Sequence, residues 1–199
     1  MAKLYFRYGA MNCGKSTALM QVVHNYHERG MRAMVIKPYT DTKGGDQIVS
    51  RLGIVRKADL IIKSDESVKA MLDDWRVRHG EVNCIMVDEA QFFKASQIDE
   101  FFEIAVKRNV PVICYGLRTD FSTRGFEGSE RLLLLAHSLE ELKTICRCGR
   151  KAVLNGRKVN GKFVFEGEQV AIDGEDQVEY ESLCANCYFE LKEKEKNHE

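Results

Sequence analysis

Eight residues near the start of the chain have the types and the spacing of a loop that binds phosphate groups. The segment, called the glycine loop below, runs Gly9-Ala10-Met11-Asn12-Cys13-Gly14-Lys15-Ser16. Its two glycines allow a tight turn with backbone amides pointing inward, Lys15 can reach an outer phosphate, and the Ser16 hydroxyl can bind Mg²⁺. The segment therefore predicts a site for the phosphates of a nucleotide.

The residues on both sides of the glycine loop support this prediction. Leu4, Phe6 and Tyr8 alternate with more polar neighbours, which predicts a strand that ends at Gly9. After the loop, apolar residues recur at helical spacing up to Gly30, a helix stop signal. A helix N-terminus offers unpaired amides and the positive end of the helix dipole, so strand, loop and helix together form an anion site. An ordinary strand-to-helix turn is the alternative interpretation.

A second pattern is an apolar run that ends abruptly in two carboxylates. Residues 82–87 are of strand length and mostly apolar, and Asp88 and Glu89 follow at once. Such a run is typical of a buried strand in a parallel sheet, and ligands bind beyond the carboxyl ends of these strands. We predict that Asp88 serves the Mg²⁺ that accompanies the phosphates, and that Glu89 is free for another role. The alternative is that Asp88 caps a helix beginning near Ala90.

The composition limits the class of protein. A chain of 199 residues with 44% hydrophobic content can form one sizeable core and a small appendage. Lys plus Arg and Asp plus Glu number 30 each, so no overall positive charge attracts nucleic acid or anionic membranes. No apolar run approaches the roughly 18 residues of a membrane helix, and the N-terminus enters a strand without a leader. We expect a cytoplasmic protein that binds neither membrane nor nucleic acid.

Seven cysteines in a cytoplasmic chain require an explanation other than disulfides. Cys84 and Cys114 lie in apolar runs and are predicted core residues, and no chemistry is assigned to Cys13. The other four form two close pairs separated by 35 residues: Cys146, Cys148, Cys184 and Cys187. Four thiolates from two turns can complete a tetrahedron around a structural Zn²⁺, although the first pair is one residue tighter than the usual spacing. Free thiols are the alternative.

The order of predicted elements indicates an α/β fold with a mainly parallel sheet. Strands are predicted at residues 33–36, 60–62, 82–87 and 110–115, and helices at residues 66–78 and 96–107, the latter with Ser96 as N-cap. Beyond Cys146, short runs at residues 157–165 and 169–172 with glycines between them predict a small β unit on zinc. The chain is thus divided into residues 1–143, residues 144–190 and a charged tail, 191–199. The charged segment from Glu190 onward is predicted to fray.

Up to this point the residues indicate a nucleotide-binding α/β domain with a zinc-held β unit, and kinase, ATPase and motor all remain open. The choice comes from a resemblance. The glycine loop with its Met11, the segments 88–93 (Asp-Glu-Ala-Gln-Phe-Phe) and 115–121 (Tyr-Gly-Leu-Arg-Thr-Asp-Phe), and the four cysteines resemble the cellular-type (type II) thymidine kinases over nearly the whole chain. This family implies a RecA-like P-loop domain and a zinc-anchored lasso loop. It also implies transfer of the γ-phosphate of ATP to the 5′-hydroxyl of thymidine or deoxyuridine.

The resemblance assigns roles to particular residues. Glu89 is expected to be the base that accepts the proton of the 5′-hydroxyl, with Lys15 and Mg²⁺ on Ser16 and Asp88 stabilising the transferring phosphoryl group. Residues expected to contact ATP are Gly9, Ala10, Met11, Asn12, Cys13, Gly14, Lys15, Ser16, Thr17, Asp88 and Gln91. Residues expected to contact thymidine are Met11, Phe92, Leu117, Phe121, Phe126, Val170, Ile172 and Tyr180. For each phenylalanine taken alone, core packing is the alternative.

The resemblance also implies how the lasso works and what else binds. Backbone groups of residues 170–173 are expected to hydrogen-bond the pyrimidine edge, and Tyr180 to cover the base, while zinc fixes the two ends of the loop. At Lys43, where some members of the family have arginine, the role of residues 41–51 stays open. The family further suggests a homotetramer and feedback inhibition by dTTP.

Two alternative functions remain at this stage. A zinc-ribbon P-loop ATPase acting on nucleic acid would share the same motifs. The ribbon segment is rich in acids that would repel phosphates, namely Glu166, Glu168, Asp173, Glu175, Asp176, Glu179 and Glu181. A kinase for another nucleoside, such as deoxycytidine or uridine, is the closer alternative.

Overall fold

The computed structural model describes residues 1–39, 46–50, 53–169 and 177–196. In this part of the chain the strands of residues 1–143 are β1 (Leu4–Tyr8), β2 (Ala33–Pro38), β3 (Gln47–Val49), β4 (Val55–Lys57), β5 (Leu60–Ile62), β6 (Cys84–Val87), β7 (Val112–Gly116) and β8 (Ser138–Glu141). Six of them form one sheet in the order β5-β2-β6-β7-β1-β8, and every pair in it is parallel. The remaining two, β3 and β4, pair as an antiparallel hairpin. The predicted α/β class is confirmed.

Helices cover both faces of this sheet. They are α1 (Lys15–Glu28), α2 (Val68–His79), α3 (Ala95–Lys107) and α4 (Glu127–Leu135), with a 3₁₀ turn over Ala90–Phe92. The side chains of β6 alternate between two cores: Ile85 and Val87 pack in the cluster that contains Phe101 of α3, whereas Met86 packs in the cluster that contains Leu19 of α1. Burial on both faces explains why β6 has no polar residues.

The predicted cap of α3 and the alternative interpretation of Asp88 as a helix cap both differ from the structure. Ser96 was predicted to cap α3, but the helix begins one residue earlier, at Ala95. The Ala95 amide donates instead to the Glu127 carboxylate of α4 (2.8 Å), so Ser96 is not needed as a cap. Asp88 is not a helix cap either, because no side-chain cap hydrogen bond is made at the 3₁₀ turn after it.

A small antiparallel unit follows the main sheet. Its strands are β9 (Thr144–Ile145), β10 (Lys151–Ala152), β11 (Leu154–Val159), β12 (Lys162–Val164) and β13 (Val178–Leu183). In the order β12-β11-β13 they form a three-stranded sheet, and β9 pairs with β10. The last helix, α5, spans Ala185–Lys196 and packs its Tyr188 against this unit. Because α5 continues to Lys196, the charged tail is helical up to that residue, and the prediction that it frays from Glu190 was wrong there.

Among the described residues, no helix combines the length and the apolar character that a membrane crossing requires.

Candidate active site

The glycine loop lies between the carboxyl end of β1 and the first turn of α1, as the sequence predicted. Asn12 and Gly14 have positive φ angles (66° and 85°), which turns the chain tightly enough to bring amides inward. Gly9 is also required, because a Cβ there would lie 2.5 Å from the backbone oxygen of Leu142. The Lys15 ammonium donates to the Ala10 carbonyl (3.1 Å), so this charge is held at the mouth of the loop.

The two carboxylates lie at the carboxyl end of β6, near this loop. Asp88 is only 4% exposed. Burial and the adjacent Glu89 carboxylate raise the pKa of Asp88 above its ordinary value, and the charges of Lys37 and Lys15 oppose that rise. A buried carboxylate in this setting gains from a nearby cation, because the cation compensates a charge that has lost its water.

Glu89 has an unusual backbone. Its φ angle is +48°, in the left-handed region that a residue with a side chain seldom adopts. Such conformations persist only where the surrounding structure enforces them, and they occur often at functional sites. The side chain of Glu89 is oriented by Gln91, whose Nε2 donates to the Glu89 carboxylate.

Gln91 connects the ends of two neighbouring strands. It is 2% exposed, and its Oε1 accepts a hydrogen bond from the Leu117 amide (3.1 Å) that follows β7. Gly116 leaves the room for this contact, because a Cβ at that position would lie 2.8 Å from Gln91 Oε1. The Gln91 side chain that orients Glu89 is therefore itself fixed by the Leu117 amide.

Four of the apolar residues predicted to contact thymidine, here called the apolar wall, follow β6 and β7: Phe92, Leu117, Phe121 and Phe126. Phe92 and Phe126 meet edge to face, with ring centroids 5.5 Å apart. Phe121, Phe126 and Leu117 are buried, at 1%, 4% and 8% exposure. The wall thus combines residues from the β6 end and from the segment after β7.

Arg157 lies between Tyr180 on β13 and Phe121 of this wall, and sequence reasoning missed it. The guanidinium of Arg157 lies 3.6 Å from the ring centroid of Phe121 and 5.6 Å from that of Tyr180, and its Nε donates to the Tyr180 hydroxyl (3.2 Å). Arg157 also donates to the Gln169 carbonyl (3.1 Å) and is only 5% exposed. A single arginine in a short strand carries no sequence signal of this burial.

Two polar residues of the small unit contact the glycine loop directly. Asn155 accepts from the Met11 amide (2.8 Å), and the Ser182 hydroxyl donates to the Met11 carbonyl. Sequence reasoning missed both. The period-2 alternation of a strand, which places Asn155 and Arg157 on one face of β11, was the available signal.

The four cysteines of the two predicted pairs converge. Their sulfur atoms all lie within 4.8 Å of one another, and Cys148 Sγ is 3.5 Å from Cys184 Sγ. A tetrahedral zinc site with Zn–S bonds near 2.3 Å needs sulfurs about 3.8 Å apart, so this donor set fits a zinc ion. Gly149 accommodates the close spacing of Cys146 and Cys148. Its φ is +83°, and its amide donates to the Cys146 carbonyl to complete a turn. Cys84 and Cys114 are fully buried core residues, as predicted.

Some predicted residues lie outside the described part of the chain. They are Lys43 and the whole segment 170–173 that was expected to contact the pyrimidine, including Val170 and Ile172.

Comparison with known proteins tests the resemblance. A family model described as thymidine kinase matches residues 2–188. The thymidine kinase of Enterobacteria phage T4 is 43% identical over 196 residues, which cover 98% of this chain and 99% of the relative. That of Ruegeria pomeroyi is 45% identical over 192 residues (96% and 95%), and that of Shewanella oneidensis is 44% identical over 193 residues (96% and 98%). With the whole glycine loop and the convergent cysteines inside the match, the chain belongs to the thymidine kinase family of phosphotransferases.

Proposed function

We propose that this protein transfers the γ-phosphate of ATP to the 5′-hydroxyl of thymidine, and accepts deoxyuridine as well. The observation that carries the proposal is the arrangement at the end of β6, where a strained Glu89 is oriented by Gln91 close to the glycine loop. Near-complete similarity to named thymidine kinases supports the choice of substrate.

The glycine loop binds the phosphates of ATP in this proposal. The first-turn amides of α1 have no carbonyl partner within the helix, so those of Lys15, Ser16 and Thr17 are available to phosphate oxygens. Lys15 exchanges its contact with the Ala10 carbonyl for the outer phosphates. Residues 9–14 and Gln91 line the same site, with Gln91 acting through its hold on Glu89.

Ser16 and Asp88 would hold Mg²⁺. A hydroxyl and a buried carboxylate are the oxygen ligands that this ion prefers, and the raised pKa of Asp88 marks a carboxylate that a cation would stabilise. The ion, when bound, neutralises charge on the phosphates.

Glu89 accepts the proton of the 5′-hydroxyl. An ionised carboxylate can do so only within hydrogen-bond reach of that hydroxyl, and the bond from Gln91 fixes its direction. The rest of the catalytic effect comes from positioning, since phosphoryl transfer needs little other covalent chemistry from the protein.

The nucleoside base binds between the apolar wall and the small unit. Phe92, Leu117, Phe121 and Phe126 form one side together with Met11, and Tyr180 covers the other. Flat aromatic side chains suit a pyrimidine at small entropic cost. Val170 and Ile172 belong to the segment proposed to hydrogen-bond its edge.

Cys146, Cys148, Cys184 and Cys187 would hold Zn²⁺ as a structural ion. With four protein ligands no position is open to substrate, so the ion's contribution is to fix the small unit. We further propose that the protein is a cytoplasmic homotetramer, inhibited by dTTP, and that it binds neither nucleic acid nor membranes. The alternative of a nucleic-acid-dependent ATPase has no support from the family match.

The test is transfer of labelled γ-phosphate from Mg·ATP to thymidine by the wild type and by Glu89→Gln. The amide keeps the shape of the side chain and cannot accept the proton, so we expect the rate to fall by about 100-fold or more while both ligands still bind. Glu190→Gln, at an exposed position on α5, is the matched control and keeps the wild-type rate. ATP hydrolysis without thymidine phosphate would refute the substrate assignment, and comparable turnover of deoxyadenosine would refute pyrimidine selectivity.

A further inference from the structure

Both backbone groups of Met11 are hydrogen-bonded to the small unit. The Met11 amide donates to Asn155 Oδ1 (2.8 Å), and the Met11 carbonyl accepts from the Ser182 hydroxyl. The next residue adds a third contact, because Asn12 Nδ2 donates to the carbonyl of Tyr180 (3.3 Å). The middle of the glycine loop is therefore held by residues more than 140 positions away in the sequence.

Both polar atoms of the Asn155 side chain are hydrogen-bonded. It is 3% exposed, and while its Oδ1 accepts from Met11, its Nδ2 donates to the Thr119 carbonyl (2.9 Å) two residues before Phe121. One buried amide thus joins the glycine loop, β11 and the segment that forms the apolar wall. Breaking these bonds would leave buried polar groups without hydrogen-bond partners, which costs free energy. The junction therefore resists displacement.

The pairing of β11 with β13 places Tyr180, the residue proposed to cover the base, in the same pair of strands as Asn155 and Ser182. In the antiparallel pair β11–β13, Asn155 lies opposite Ser182, and Arg157 lies opposite Tyr180. Tyr180 and Arg157 are hydrogen-bonded to each other and lie two residues along the strand pair from Ser182 and Asn155, which hold Met11. A movement of Tyr180 onto a nucleoside therefore moves the supports of the glycine loop.

We infer that Asn155 and Ser182 are positioning residues that couple nucleoside binding under Tyr180 to phosphate binding at the glycine loop. This inference rests on the proposed function. Each ligand requires the ladder and the loop in one relative arrangement, so the ligand that binds first prepares the site of the second. By linkage the effect is reciprocal: thymidine strengthens the binding of ATP by the same factor by which ATP strengthens the binding of thymidine.

The test measures that factor in the full-length, zinc-loaded protein. Calorimetric titration gives the dissociation constant of the Mg²⁺ complex of a β,γ-imido analogue of ATP, with and without saturating thymidine. For the wild type we expect thymidine to tighten binding of the analogue about 10-fold, within the usual range of coupling between sites. Asn155→Leu and Ser182→Ala should reduce the factor below about 2-fold. Asn25→Leu on α1 and Ser138→Ala on β8 change the same residue types elsewhere and should retain it.

The outcomes separate this inference from the proposed function. A wild type that phosphorylates thymidine but shows no coupling overturns the inference alone, and so does full coupling in Asn155→Leu. A wild type that neither binds nor phosphorylates thymidine overturns the proposed function. Ser182→Ala removes a single hydrogen bond, so it provides the answer if the leucine variant does not fold. Thermal unfolding of each variant shows whether coupling is lost while stability is kept, which a purely structural role would not produce.

Discussion

The main sheet and the small unit hold their functional residues by different means. In the main sheet, Asp88 follows β6, which is buried on both faces, and the glycine loop follows β1, whose Leu4 and Phe6 are buried. The sheet lies between clusters of twenty and ten buried apolar residues among those described. In the small unit, Tyr180 and Arg157 stand on a three-stranded sheet whose cluster has six buried members, two of which are zinc-ligand candidates, Cys146 and Cys184.

This difference indicates which part a metal held by the four cysteines would stabilise. A core of four other buried residues is small for an independently stable unit, and small units of this kind need a metal or disulfides. The main sheet can keep its strand ends in place through hydrophobic burial alone. The small unit needs the four thiolates and its contacts with the main sheet, such as the Tyr188 hydroxyl on the Phe121 carbonyl (2.7 Å).

Removal of one thiolate should therefore have the largest effect. We expect Cys184→Ser to lose zinc and to reduce thymidine phosphorylation on the order of 100-fold or more, because the binding energy of a structural zinc is folding energy for its unit. Binding of the ATP analogue should weaken much less than phosphorylation, since the glycine loop follows a strand of the main sheet and only Met11 and Asn12 in it contact the small unit. Zinc analysis, steady-state kinetics and calorimetry measure the three quantities.

The control for this variant is Cys84→Ala, which removes a buried thiol from the core beside α1. It should keep its zinc and its activity at 25 °C. In Cys184→Ser, a loss of ATP-analogue binding as large as the loss of thymidine phosphorylation would contradict the different roles assigned to the two regions.

A second change tests the strand ends of the main sheet. In Gly116→Ala the new methyl group would lie 2.8 Å from Gln91 Oε1 and 3.2 Å from its backbone nitrogen. Overpacking of this kind costs about 1–3 kcal/mol, and here it displaces the side chain that orients Glu89. We expect kcat to fall about 10-fold with little change in zinc content. Gly125→Ala is the comparison, because its methyl group meets only the movable Glu130 side chain.

A third change tests the contact between the two regions. Arg157→Lys keeps the charge but loses the planar group that stacks on Phe121 and bonds to Tyr180. We expect the KM for thymidine to rise about 10-fold, with a smaller change in kcat. Arg147→Lys, in the same unit but paired with Glu181 on its surface, should leave KM unchanged. An equal rise in both variants would mean that the stack has no specific role.

The sequence predicted the parts of this arrangement that depend on local patterns. The glycine loop, the buried strand that ends at Asp88 and the cysteine pairs each have a spacing that physical chemistry explains. The strand β8 was not predicted, because its residues Ser138–Glu141 are mostly polar and it pairs on one side only, with β1. Helix α4 was not predicted either.

The missed site residues have a common cause. Asn155, Ser182 and Arg157 are polar residues in short strands, and their roles arise from contacts with segments more than 20 positions away. The two-residue alternation of β11 places Asn155 and Arg157 on one face of the strand, but it does not identify the distant segments that this face contacts. The cap of α3 shows the same limit, since it is supplied by Glu127 from another helix.

The smallest expected effect concerns two surface carboxylates, one in each region. Lys107 and Lys69 lower the pKa of Glu103 on α3 to about 2, and Arg147 and Lys158 lower the pKa of Glu181 on β13. A lowered folded-state pKa means that each carboxylate contributes stability at neutral pH and loses the contribution as the pH falls through its folded pKa. We expect Glu103→Gln to change the melting temperature least, because Glu103 is partly exposed to water and the large core dominates there. Glu181→Gln should lower the melting temperature more than Glu103→Gln does, because the small unit has a small core. Calorimetric scans at pH 7 and pH 4 measure both differences, and a larger effect of Glu103→Gln at pH 7 would contradict the view that the small unit depends more on its polar contacts.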